Sequence, residues 1–420
     1  MRKAELIKKM IPIYLASCLA WIHNIVYTPL GYMYNTWPNQ DALIMLIAVL
    51  PGIVAMAAGV LAGKLIDLMG RKNLVVLSMA AMLVGGIGMF FLGRTSIWAA
   101  IVLSGLSGFA AGSIPAANFA ALTEIAPENL RDKVVGWSDA VCSLGLVFGI
   151  FTCGLLASDG VWTRGYGVYF AVIPVLVLVL LFYPKDTKGV APANEVQSAA
   201  VDAADTVAVK SVLPGCIIAL LVVKVFAGFF YASFGVFSSD YIINELQMGS
   251  SVLVGTVNTV TQVVNVAASA AVFLWIRCFK GFSSAVAQIM IGICLVVLVM
   301  VGATTSGILI CAAVMFVGIM SSHSSFSTIM ATAPKGKAVG TVSGLFMSAT
   351  FLGESLCGYV APFFADLFLG SSSAGNCMKI SGIMSIIVGV VSLPFFARAY
   401  KLAFPRKSYT ESECKETIEC

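Results

Sequence analysis

The sequence predicts an all-α membrane protein: twelve transmembrane helices in two six-helix, pseudo-symmetric halves. Three observations carry the prediction. Hydrophobic residues make up 59% of the 420 residues and charged residues 11%, and the mean hydropathy is +0.97, a balance outside soluble globular usage. Apolar runs of about 20 residues recur along the chain, the length a helix needs to cross roughly 30 Å of hydrocarbon. They are too long and too uniformly apolar for the alternating strands of a membrane barrel. Finally, the basic residues fall on one side. With the N-terminus in the cytoplasm, the outer loops keep only Arg94, Arg164 and Lys379, and every other Lys and Arg except Lys224 lies in an inner loop or tail. By the positive-inside rule both termini are cytoplasmic.

The twelve runs are 10–32, 42–63, 74–93, 97–122, 134–157, 166–183, 213–237, 251–275, 283–302, 307–331, 338–365 and 380–397. Leu15-Ala16-Ser17-Cys18 follows a basic N-terminus like a lipoprotein cleavage box, but the apolar run continues past Cys18, so the segment reads as an uncleaved first span. The longest polar interruption, between spans six and seven, divides the chain into an N-terminal half (1–183), a central cytoplasmic loop (184–211), a C-terminal half (212–397) and a cytoplasmic tail (398–420). The halves echo each other. Ala126-Pro127, Arg131 and Val134-Val135-Gly136 lead into span five as Ala333-Pro334, Lys335 and Ala338-Val339-Gly340 lead into span eleven. Such internal duplication marks a repeat-built transporter.

Other classes lack their motifs. The 11 cysteines form no C-x-x-C pair and read as small apolar fillers. There is no H-E-x-x-H and no phosphate-binding G-x-x-x-x-G-K-[ST], which argues against an enzyme, an ATP-driven pump and any cofactor. The net charge of +5 is a topology signal, not a nucleic-acid footprint. The expected partners are a small-molecule substrate, membrane lipid and, as coupling ion, the proton, around a monomer in the plasma (inner) membrane.

The most specific motif is Gly63-Lys64-Leu65-Ile66-Asp67-Leu68-Met69-Gly70-Arg71-Lys72, between spans two and three. It resembles the loop signature of the major facilitator superfamily, G-x-L-x-D-x-x-G-R-K, at every defining position. Glu124, Pro127, Arg131 and Lys133 resemble the same family's approach to span five. The resemblance covers essentially the whole chain and implies alternating access between the halves, with Gly63, Asp67, Gly70, Arg71, Lys72, Glu124 and Arg131 as a conformational latch. Gly63 is expected to let a neighbouring helix come close, Gly70 to permit the tight turn, and Asp67, Arg71 and Glu124 to form a charge network holding the halves together on the cytoplasmic side. Two family features are incomplete. Ser104 stands where proton-coupled relatives often carry an arginine, and Ile150 and Cys153 replace a proline and a glycine of the span-five antiporter signature.

Within the spans, Lys224 and Glu354 are the polar residues a bilayer tolerates least. A lysine at the centre of a membrane helix costs roughly 2.5 to 3.5 kcal/mol, so it should face water, a ligand or an opposite charge. Glu354, the acid at similar depth, occupies the repeat position of Ile150. In the family's fold, spans seven and eleven both reach the central cavity, so the expectation is that Glu354 pairs with Lys224 when the site is empty and that an anionic substrate group competes for the lysine. His23, Asn24 and Tyr27 lie within about one turn of span one. Asn258, Thr261, Gln262 and Asn265 form a polar stripe on span eight. Tyr231, Phe229 and Phe230 supply aromatic walls, and His323 in span ten is expected nearer the cytoplasmic mouth. Three functions stay open: a transporter of a small organic anion, an exporter of amphipathic or cationic compounds, and a sensor that keeps the fold without transporting.

Overall fold

The computed structural model describes residues 3–125, 131–184, 215–301, 304–332 and 338–403. Most of the central loop, the tail beyond Ala403, Pro127 and the side chains of Arg131 and Lys133 lie outside the described residues. Among the described residues, 11 helices are long and apolar enough to cross a membrane, and Val141–Leu156 supplies the apolar part of span five. The spans are, in order, span one (Lys3–Leu19, Ile22–Tyr27 and Leu30–Thr36), two (Asp41–Met69), three (Arg71–Leu92), four (Ile97–Ile125), five (Arg131–Leu156) and six (Trp162–Ala171 and Val172–Phe182). The second half continues with seven (Gly215–Asp240, ending in the π-helical turn Tyr241–Glu245), eight (Ser251–Phe279), nine (Ser283–Val301), ten (Thr305–Thr332), eleven (Ala338–Leu369) and twelve (Ala374–Ala403). The result is a helical, multi-pass membrane bundle.

Span one departs from the continuous helix its hydropathy suggests. It breaks after Leu19 into a 3₁₀ segment, Ile22–Tyr27, in which Asn24 N–H donates to Trp21 O at 3.1 Å and Thr28 N–H to Ile25 O at 3.0 Å. The sequence supplies the cause. Ile22, Ile25, Val26 and Thr28 are β-branched and lose rotamer freedom in a helix, and Pro29 has no N–H to return to Ile25. His23, Asn24 and Tyr27 therefore sit on an irregular turn in the middle of the membrane, which is tolerated where backbone is covered by protein or faces a cavity.

Close helix crossings set the depth of each side chain. In span eleven, a Cβ on Gly353 would stand 1.8 Å from Val225 O, and in span seven a Cβ on Gly228 would stand 2.2 Å from Thr350 O, so the two backbones touch at the centre of the C-terminal half. In the other half, Gly149 of span five packs against Ile22 and Ile25 of span one. At the same repeat offset, Gly154 packs against Ser251 and Gly255 of span eight, and Gly358 against Met45 of span two. These last two crossings join the halves.

The halves are closed at one end. Ser239 Oγ donates to Thr28 O at 2.8 Å and accepts from Gly31 N–H at 3.0 Å, and Asn244 Nδ2 donates to Gly31 O at 3.1 Å. Ser251 Oγ donates to Gly154 O at 2.8 Å, its N–H to Tyr32 Oη at 3.1 Å, and Tyr359 Oη to Ala42 O at 3.2 Å. All of these groups belong to the membrane face opposite the chain termini. These cross-half hydrogen bonds therefore cluster at the face opposite the termini.

Candidate functional site

Lys224 is fully buried within the C-terminal half. Its Nζ lies 3.2 Å from His323 Nδ1 on span ten. Three rings face the ammonium: Phe346 at 4.3 Å, Tyr231 at 4.8 Å and Phe326 at 5.4 Å from ring centroid to Nζ. Each lies within the range at which a ring quadrupole attracts a cation, and such contacts strengthen when desolvated. For Nδ1 to accept from an ammonium, the imidazole is neutral with its proton on Nε2. Tyr231 is itself fixed, since its hydroxyl donates to Ser322 Oγ at 2.8 Å. Ser322 Oγ also lies 3.2 Å from Ser284 Oγ and accepts from Gln288 Nε2 at 3.2 Å, so spans seven, nine and ten share one buried polar network.

The depth of His323 differs from the sequence expectation. Lys224 is nine residues from Gly215 at the start of its helix, and His323 is nine from Thr332 at the end of its own. At 1.5 Å per residue both stand about 14 Å from the terminal face. Span ten runs opposite to span seven, and equal distances from equivalent ends place the two residues side by side.

Glu354 is half-buried, and among the described residues no ion pair joins it to Lys224. The two charges are nonetheless close enough to interact electrostatically, and Glu354 acts in the same way on Tyr27 and Tyr231. The pairing of Lys224 with Glu354 expected from the sequence thus meets a different arrangement: histidine and aromatic rings hold the ammonium, and Glu354 follows Gly353, which packs on the backbone of span seven. Phe326 and Phe346, which complete the cage, carry no mark in the sequence, because isolated phenylalanines in apolar helices look like any other packing residue. The signal that finds one of them is spacing: Phe346, Thr350 and Glu354 repeat every fourth residue, on one face of span eleven.

The remaining candidates are more dispersed. Tyr27 Oη donates to Ala48 O at 3.5 Å, His23 and Asn24 are partly buried beside it, and His23 Nδ1 is a buried atom with no hydrogen bond among the described residues. Asn258 is buried, its carbonyl accepts from Thr261 Oγ1 at 2.7 Å, and Asn265 Nδ2 donates to Gln262 Oε1 at 3.4 Å. This stripe belongs to span eight, which packs on spans five and ten. The structure therefore gathers Lys224, His323, Tyr231 and Glu354 around one crossing, with Tyr27 on the opposite half within electrostatic reach.

The loop between spans two and three is organised around Arg71. Its guanidinium forms an ion pair with Glu124 of span four and donates to Ala120 O at 3.2 Å, and Lys72 Nζ donates to Leu180 O at 2.7 Å. These bonds stay within the N-terminal half. Asp67 is exposed, with no ion pair among the described residues. Gly70 has φ +83°, which a side chain would resist, and it ends span two and starts span three, as the turn requires. Gly63 differs from expectation, because a Cβ there would meet nothing within 4 Å. The close approaches of span two come earlier, at Pro51 against Gly108 and Ala55 against Gly112.

Comparison with known proteins agrees with this architecture. The sequence matches the Major Facilitator Superfamily over residues 10–358. Among solved structures, an inward-open conformation of the xylose transporter XylE from E. coli superposes with a TM-score of 0.72 at 14% identity, covering 98% of this chain and 99% of that one. A point mutant of the nucleoside transporter NupG gives 0.72 at 12% identity, covering 92% and 99%. A bacterial homologue of the human lysosomal transporter Spinster, inward-facing and unoccupied, gives 0.68 at 13% identity, covering 96% and 98%. At such identities these likenesses speak to fold alone, and no curated protein matches the sequence. With twelve spans, two related halves and the family match across most of its length, the chain belongs to the Major Facilitator Superfamily.

Proposed function

We propose that the protein is a secondary active transporter that moves a small organic anion together with a proton by alternating access. The observation that carries the reading is the charge balance at the span-seven and span-eleven crossing. A buried lysine without a carboxylate ion pair stands within electrostatic reach of a partly accessible glutamate. With Glu354 ionised, the pair is neutral overall. Once Glu354 takes a proton the site carries a net positive charge, which favours an anion in the adjoining cleft and opposes a cation. Lys224 acts in this conformation through its field, since the cage keeps its ammonium from direct contact with solute. Tyr27, His23 and Asn24 would face the solute from span one, and Asn258, Gln262 and Asn265 from span eight. The excess of basic residues in the loops on the terminal side supports a cytoplasmic position for both termini.

A second reading, export of amphipathic cations, is favoured by one fact: Glu354 is the more accessible of the two charges. A thermal-shift screen of the purified protein against small carboxylates, neutral metabolites and organic cations separates the readings. A ligand at 100 times its dissociation constant stabilises by about 2.7 kcal/mol. Stabilisation by carboxylates that grows as pH falls is the expected result. Stabilisation by cations alone, growing as pH rises, supports export and contradicts the anion reading.

A further inference from the structure

We infer that His323 is a positioning residue that holds Lys224 in one of two alternative places, and that the other place is against Glu354. The inference builds on Glu354 as the proton-bearing group proposed above. Three observations support it. The backbones of spans seven and eleven are locked by the Gly228–Thr350 and Gly353–Val225 contacts, so a change of partner falls to the side chains. Thr350 stands between Phe346 and Glu354 on one face of span eleven, one turn from each, and its hydroxyl is occupied by Phe346 O at 2.9 Å. Lys224 lies one turn before Gly228, which meets Thr350, so its flexible four-carbon stem starts beside the stretch of span eleven that carries both the ring and the carboxyl group. Here the ammonium has taken the Phe346 side, at 4.3 Å, with His323 Nδ1 its hydrogen-bond acceptor at 3.2 Å.

Reversing the stem along the helix axis exchanges the histidine and rings for a carboxylate. In the place seen here, Glu354 lacks a contacting cation and takes a proton more readily; in the other, it stays ionised. Among the described residues, these groups bear on the exchange. Lys224 and Tyr231 face Glu354 from span seven and Tyr27 from span one, with Cys357 on its own helix. His323, Phe326, Phe346 and Tyr231 face Lys224. His323 supplies the acceptor that a ring cannot, so its removal should send the ammonium to Glu354.

The test needs no substrate. Dicyclohexylcarbodiimide reacts with protonated carboxyl groups buried in membrane protein, and peptide mass spectrometry reads its addition at Glu354 against pH. In His323→Phe the midpoint of labelling should move to lower pH by about one unit or more, the shift a contacting cation imposes. In His323→Gln, whose amide oxygen accepts the same bond, it should stay near wild type. In a Lys224→Met background, His323→Phe should move nothing. A midpoint unchanged in His323→Phe, or moved equally in the Lys224→Met background, overturns the positioning role. Should His323→Phe not fold, His323→Ala takes its place with the same expected shift. Because labelling is read without solute, failure here is distinct from failure of the transport reading, which would appear as an absent pH-dependent carboxylate effect in the screen.

Discussion

On the anion-transport reading proposed above, Lys224→Ala should lower affinity for a carboxylate by roughly 30-fold and abolish its accumulation in proteoliposomes. The magnitude follows from Coulomb's law: a unit charge about 8 Å from an anion at an effective dielectric of 20 contributes about 2 kcal/mol. Without the lysine, protonation of Glu354 leaves a neutral site, and the preference for anions disappears with it. The variant should also lose thermal stability, because Phe346, Tyr231 and Phe326 give up a partner at 4.3 to 5.4 Å and the cage becomes a void. Uptake of the carboxylate within twofold of wild type would remove Lys224 from the mechanism.

Gly353→Ala is the second large effect, and it acts through packing. The new methyl group would stand 1.8 Å from Val225 O and 2.7 Å from Phe229 N, both of them backbone atoms. No side-chain rotation relieves such a contact, so spans seven and eleven must separate, at a cost of about 1 to 3 kcal/mol. The measurement is the unfolding midpoint in detergent, with Gly235→Ala on span seven as control, since a Cβ there meets nothing within 4 Å. A midpoint drop in Gly353→Ala with none in Gly235→Ala is expected. Equal midpoints would mean that the crossing does not hold the two helices in register.

Much of this architecture is legible in the sequence, for a simple reason. In a bilayer, length and hydropathy alone separate spans from loops, and basic residues sort the loops. Two intramembrane charges are conspicuous because burying them is costly. What hydropathy cannot register is rotation about a helix axis and the local path of the backbone. The 3₁₀ segment of span one has the same apolar composition as a helix, and only Pro29 with its β-branched neighbours hints at the break. His323 reads as closer to the mouth because the apolar runs 213–237 and 307–331 put Lys224 eleven residues and His323 eight from the terminal side, whereas the helices Gly215–Asp240 and Thr305–Thr332 put both at nine. The lysine cage requires knowing that Phe346 and Phe326, on different helices, turn toward the same point. Gly63 matches its motif, yet the packing contacts of span two are made at other positions.

The most direct test of the central claim follows the proton itself. Proteoliposomes loaded with a pH-sensitive dye receive the carboxylate found by the screen, in wild type and in Glu354→Gln. Wild-type vesicles should acidify inside as the carboxylate enters, and Glu354→Gln vesicles should exchange labelled for unlabelled carboxylate with no change of internal pH. Equal acidification in the two would show that the proton travels by another group and that Glu354 is not its carrier.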